Sequence, residues 1–279
     1  MTISLPLPRT WRFWRRRTTV PAIRLSGVIG DAGLVARGMT LSALERTIER
    51  AFAVRHAPAV ALLINSPGGS PVQSSLIAGR IRALAEEKKR PVLAFVEDVA
   101  ASGGYWLACA ADEIFADASS IVGSIGVVSA GFGFQEAIAR LGIERRVHTA
   151  GQRKALLDPF QPERPDDLAL LHDLQRDIHA RFIDHVRIRR AGRLKGEDGE
   201  LFDGRIWTGE AAIARGLIDG LGEPRATIRA RYGAEARLVP VNPRRGWLRR
   251  LRFRAEPAHM LEELFAVLEA RAHWQRFGL

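Results

Sequence analysis

Apolar and polar positions along this chain keep switching between two periods. Residues 59–65, AVALLIN, form an unbroken apolar run, the mark of a strand covered on both faces. AIRLSGVIG (22–30), PVLAFVE (91–97) and ERRVHT (144–149) also read as strands, and the β-branched runs EIFAD and IVGSIGVVSA lie between the last two. Helical spacing fills the intervals: 40–55 with Thr40 as N-cap, 74–90, a short helix ending near Ala111, FQEAIARLG, 162–191 after its prolines, and 207–219. Strands alternating with helices predict parallel βαβ units, an α/β class and, with no internal repeat, one catalytic-size domain over 20–240. Beyond it, Met260, Leu261, Leu264, Phe265, Leu268 and Ala272 fall on one stripe. They predict a C-terminal helical tail that docks on its own core or on a neighbouring subunit.

Composition changes this picture little, and charge changes it more. With 47% hydrophobic and 26% charged residues, the 279-residue chain is that of an ordered globular protein. Its net charge of +11 is carried by two tags, +5 in residues 1–19 and +6 in residues 244–254. The arm 1–19 and the segment 241–279 therefore flank a nearly neutral domain. A nucleic-acid-binding face would spread its charge over the fold, so no nucleic-acid partner is expected. Trp11, Phe13, Trp14, Trp247 and Phe253 interleave with the arginines. Such tails suit peripheral contact with an anionic membrane, or a pair of disordered or self-docking basic arms. No apolar stretch reaches 18 residues, and the N-terminal positive charge follows its weakly apolar segment. The expectation is a cytoplasmic protein, or one peripheral on the inner face of the cytoplasmic membrane, without a signal peptide or spanning helix. Cys109 is alone, which excludes an intrachain disulfide, and its apolar surroundings predict burial. No Cys/His cluster has metal spacing and no phosphate loop is present, so neither metal nor cofactor is expected.

The chemistry is concentrated in three short stretches. In DVAASGGYW (98–106), small residues surround Ser102, which suits a tight strand-to-helix turn with an accessible hydroxyl; a solvated turn serine is the plainer reading. In INSPGGSP (64–71), Pro67, Gly68 and Gly69 can aim backbone N–H groups into a cleft, as an oxyanion hole requires, or form an ordinary Pro-Gly turn. The third need is a base. Four of the seven histidines lie on presumed helices without a telling acidic partner, which leaves His148 as the nearest imidazole after Ser102. The chain has only four lysines against 38 arginines, so a retained lysine is a candidate for work that requires losing a proton. Lys154, in GQRKALLDPF just after a presumed strand, is the best placed, although a surface lysine remains open. A lysine ordinarily titrates near 10.4, so this role demands a desolvated setting.

Five motifs carry a resemblance: LLINSPGGS (62–70), DVAASGGYWLACAADEIFAD (98–117), IVGSIGVV (121–128), GQRKALLDPF (151–160) and DGRIWTGEAAIARGLIDGLG (203–222). Their order and spacing resemble those of the signal peptide peptidase A family of serine proteases, peptidase family S49, over roughly residues 22–225. The resemblance implies a ClpP/crotonase-like spiral of βαβ units and a serine peptidase without cofactors that uses a Ser–Lys dyad. It implies Ser102 as nucleophile, Lys154 as general base and Gly68, Gly69 and Gly103 around the oxyanion; Ser124 in VGSIG is a candidate accessory hydroxyl that orients the lysine, or a simple turn serine. Its implied substrates are signal peptides or other membrane-derived peptides, and its implied state is a homo-oligomer in which adjacent subunits can share a site. A non-catalytic scaffold of the same fold and a crotonase-type acyl-CoA enzyme are the alternatives.

Overall fold

The computed structural model describes residues 18–30, 38–151, 153–241, 274–275 and 277–278. The basic arm up to residue 17, the basic segment 244–254 and nearly all of the amphipathic tail lie outside the described residues. The first half of the domain runs β1 (Thr19–Ser26), α1 (Leu41–Phe52), β2 (Val60–Ser66), α2 (Pro71–Glu87), β3 (Val92–Ala101), α3 (Gly103–Ala108), β4 (Glu113–Ala116) and β5 (Ile121–Gly123). The second half runs α4 (Gln135–Arg140), α5 (Pro165–Arg189), α6 (Asp198–Leu201), β6 (Ile206–Thr208), α7 (Gly209–Ala214), β7 (Gly220–Leu221), α8 (Pro224–Tyr232) and β8 (Arg237–Pro240).

The strands form one sheet in the order β6-β5-β3-β2-β1-β8, with β4 beside β3 and β7 beside β4. Every pairing is parallel except β5 with β6. The apolar run of β2 is buried on both faces, as its pattern predicts. Leu62 and Ile64 join α1, α2 and α3 on one side, whereas Leu63 meets Phe95 and Ile228 of α8 on the other.

Thr40 caps α1 as expected, its hydroxyl accepting from Ala43 N at 3.3 Å, and Ser70 caps α2 ahead of Pro71. Three sequence expectations need correction. β3 runs on through Ala101, because it pairs with β4 over Leu93–Val96 and then changes partner to β5 over Val99–Ala101. Residues 144–149 form no strand; they are exposed, and no strand among the described residues pairs with them. Trp207 belongs to β6, antiparallel to β5, and the following helix begins only at Gly209 behind its Thr208 cap.

Helix α5 holds the back of the site together. Pro165 opens it, Asp166 and Asp167 sit in its first turn and Arg187 and Arg189 in its last, matching the helix dipole. Its polar side chains donate to carbonyls that other helices and loops leave unpaired. His179 Nε2 reaches Ile125 O at 3.1 Å, His185 Nε2 reaches Trp106 O at 3.2 Å, and Arg189 reaches Cys109 O at 2.9 Å. Just past the helix end, Arg190, only 1% exposed, pairs with Asp219 and also donates to Gly216 O. Cys109 is buried, and burial pushes its thiol up to about 12.

Candidate active site

Ser102 sits where β3 turns into α3, with φ 51° and ψ −122°. A non-glycine residue pays for that backbone in strain, on the order of 1–3 kcal/mol, so the surroundings must hold it there. They do so from three directions. Ser102 N donates to Gly123 O of β5 at 2.8 Å, and Ser102 O accepts from Tyr105 N and Trp106 N of α3. On the third side the 66–70 loop presses against the turn. A Cβ on Gly68 would come within 2.8 Å of Ser102 Cβ, so only glycine fits there. Ser102 is half-buried, and its hydroxyl makes no hydrogen bond among the described residues.

The same loop lines up backbone donors. Ile29 N donates to Gly68 O at 2.8 Å and Ser70 N donates to Ile29 O at 2.7 Å, a short parallel bridge that fixes Gly69 between them. Gly69 has φ 139°, and a side chain there would overlap the Ile29 carbonyl. Gly103 opens α3, where N–H groups have no partner within the helix. Neither Gly69 N nor Gly103 N donates to any group among the described residues. A Cβ on Gly103 would lie 3.4 Å from Gly69 N, so the two unbonded N–H groups lie close together beside Ser102. That is the arrangement an oxyanion needs.

Sequence reasoning missed the residues that build this cradle. Ser66 is fully buried; its hydroxyl donates to Gly27 O at 2.7 Å and accepts from Gly68 N at 3.2 Å. Ser74, also buried, donates to Ser70 O and fills the space where a Gly103 side chain would go. Both serines lie in or beside the quoted INSPGGSP stretch, and their proximity to the glycines was the available signal.

Ser124 follows Gly123, the residue whose carbonyl holds Ser102 N. It has φ 54°, its N–H donates to Arg205 O at 2.7 Å, and its half-buried side chain forms no hydrogen bond among the described residues. Gly123 cannot carry a side chain, because its Cβ would reach 2.6 Å from the Trp207 ring.

Lys154 is placed differently. It lies in the turn at 153–157, on an arm spanning roughly 126–164 whose residues are mostly exposed. Its side chain is exposed and makes no hydrogen bond with Ser102. His148, the imidazole alternative, is exposed on the same arm. The arm has internal order of its own. Phe134 N donates to Pro159 O at 2.6 Å, Phe134 meets Phe160 at 5.6 Å, and Arg145 pairs with buried Asp158 while lying 4.6 Å over the Phe160 ring. It also shows apolar surface to solvent, with Phe132 81% and Leu141 73% exposed. The structure thus brings Ser102, Gly68, Gly69, Gly103 and Ser124 together, whereas Lys154 is exposed and makes no hydrogen bond to them. Among the described residues, no group of His, Cys, Asp and Glu is arranged to hold a metal.

The sequence profile of Peptidase family S49 matches residues 84–236, a span that includes Ser102, Gly103, Ser124 and Lys154. Similar proteins include Serine protease SPPA, chloroplastic, of Arabidopsis thaliana, 34% identical over 74% of this chain and 31% of its own length. Protease 4 of Haemophilus influenzae is 28% identical over 77% of this chain and 35% of its own length. A Brucella abortus protein named Na(+)/H(+) antiporter NhaA is 51% identical over 98% of this chain. The chain spans 38% of that protein, and so well under half the length of each of these relatives.

Proposed function

Because the chain belongs to peptidase family S49, we propose that it is a serine endopeptidase in which Ser102 is the nucleophile and Lys154 the general base. Its α/β fold around one largely parallel sheet is of the ClpP/crotonase-like kind that this family implies. The observation that carries the proposal is the strained Ser102 turn with two unbonded N–H groups, those of Gly69 and Gly103, close together beside it.

In this mechanism neutral Lys154 takes the proton from Ser102 Oγ, which attacks the scissile carbonyl. The N–H groups of Gly69 and Gly103 donate to the tetrahedral oxyanion. Lys154 returns the proton to the leaving amine, and water then hydrolyses the acyl-enzyme with the lysine again as base. Gly68 keeps the loop close enough for this geometry, and Ser124 acts as the accessory hydroxyl that orients the lysine. The exposed apolar residues of the arm support a homo-oligomer in which the arm packs on a second copy and brings Lys154 into a dry site there. Substrates, taken from the family resemblance, are signal peptides or other membrane-derived peptides.

The antiporter name belongs to a protein of which this chain matches 38%, and no described helix is long and apolar enough to cross a membrane. We assign no ion transport to these residues. The test is labelling of the full chain with a fluorophosphonate probe, beside Ser102→Ala and Lys154→Ala, with the labelled peptide mapped by mass spectrometry. Label on Ser102 that is lost in both variants supports the dyad. An unlabelled, folded oligomer would instead identify a scaffold with an inactive site.

A further inference from the structure

The β8 edge of the sheet gathers several unpaired arginines in one place. Across the domain most described arginines sit in ion pairs, such as Arg24 with Glu97, Arg82 with Asp112, Arg215 with Glu200 and Arg231 with Glu113. Three that do not, Arg225, Arg229 and Arg237, line a single open cleft of about 430 Å³ between α8 and β8. All three are exposed, and none forms an ion pair or side-chain hydrogen bond among the described residues. Apolar Leu238, Val239 and Pro240 complete the wall, with Val239 42% exposed.

The connections of the chain add to this charge. β1 and β8 pair in parallel, Thr19 opposite Arg237 and Ala22 opposite Pro240. The chain after residue 17, which follows Arg9, Arg12, Arg15, Arg16 and Arg17, therefore enters the fold at the Arg237 end of this edge. The chain that continues past Val241 to the six arginines of 244–254 leaves at the other end. Both tags are thus attached to the β1–β8 side of the sheet, where these three unpaired arginines lie.

We propose that the α8–β8 edge is the docking face for an anionic lipid bilayer, with Arg225, Arg229 and Arg237 receiving lipid phosphates. Juxtamembrane arginines gain attraction from anionic headgroups additively, and interleaved aromatic residues suit the headgroup boundary. Nucleic acid fits less well, since the cleft has an apolar wall and presents no aromatic side chain on which a base could stack. In this orientation β3, which ends just before Ser102, lies three strand spacings from the docked edge, about 14 Å at the usual separation. Peptides leaving the bilayer would meet the site close to the surface.

The test is co-sedimentation of the full chain with vesicles of phosphatidylcholine containing zero, 20 or 40% phosphatidylglycerol. Wild-type binding is expected to rise with the anionic fraction and to fall with added salt. The triple change Arg225→Gln, Arg229→Gln, Arg237→Gln should weaken it at least tenfold with both basic tags still present, while the triple Arg→Lys variant binds nearly as wild type. Circular dichroism checks the fold of each. If the glutamine triple misfolds, Arg237→Gln alone should weaken binding several-fold. Binding that ignores phosphatidylglycerol, that is equal in the glutamine and wild-type chains, or that RNA displaces at lower phosphate concentration than phosphatidylglycerol vesicles do, would overturn the proposal.

Discussion

The cradle around Ser102 and the arm that carries Lys154 are built on opposite terms. Around Ser102 nearly every backbone group is held, from Ser102 N on Gly123 O to Ser70 N on Ile29 O, and glycines stand where side chains would collide. On the arm, α4 buries none of its residues, and Gly131, Gly133, Gly142 and Gly151 have open space around them. In the proposed mechanism the packed cradle supplies the nucleophile and the oxyanion donors, whereas the arm leaves large apolar side chains such as Phe132 and Leu141 exposed. Tight backbone packing positions a group to within fractions of an ångström, and an exposed turn positions it only once it is covered.

The largest effects should fall on chemistry and spare the fold. Ser102→Ala is expected to lower peptidase activity by about 10⁴-fold or more with an unchanged melting temperature, and Lys154→Ala should cost about as much, since the two act as a unit. Lys154→Arg should fail as well, because a guanidinium does not give up its proton. Initial rates on a fluorogenic peptide, read beside thermal melts, check all three.

Glycine substitutions separate the two regions next. Gly69→Ala, which drives a Cβ into the Ile29 carbonyl, should cost about 2–4 kcal/mol of stability and about 100-fold in kcat. Gly151→Ala, at φ 105° with nothing within 4 Å, should cost only about 1 kcal/mol from the backbone itself. Urea unfolding of both variants measures the difference, and equal losses would erase the contrast.

Acid should loosen the cradle through His185. Burial against Trp106, whose ring stacks on it at 4.9 Å, pushes the imidazole down to about 4. The unfolded chain takes that proton near pH 6.5 and the folded chain only near pH 4. Stability therefore falls as pH drops through this window, by at most about 3 kcal/mol, and levels off below it. His185→Phe should flatten that slope in urea titrations between pH 6.5 and 4. Smallest in energy is the effect at the arm surface. Phe132→Ser with Leu141→Ser should reduce self-association and lower activity about tenfold at dilute protein, while the unfolding free energy of the monomer stays within about 0.5 kcal/mol. Sedimentation and rates taken over a concentration series report both.

How far the sequence could be read follows the same division. The strands β1, β2 and β3, the helices α1, α2 and α5, and the Ser102 turn were legible, because buried apolar periodicity and Gly-rich turns are local signals. Residues 144–149 were misread as a strand because an alternating pattern does not reveal whether a partner strand exists, and Trp207 was assigned to a helix because its pairing with β5 is a long-range contact. Ser66 and Ser74 went unnoticed because burial of a serine depends on tertiary packing. Lys154 could be singled out by residue type and position, yet its surroundings depend on packing that a local pattern does not carry.

In the proposed mechanism Lys154 of one copy completes the Ser102 site of another. The most direct measurement mixes Ser102→Ala and Lys154→Ala chains, dissociates and reassembles them together, and assays peptide hydrolysis. Hybrid assemblies contain sites with an intact serine from one chain and an intact lysine from its neighbour, so activity should return to about a quarter of wild type for random 1:1 mixing. Hybrids that form, as shown by mass spectrometry, yet remain as inactive as either parent would contradict it.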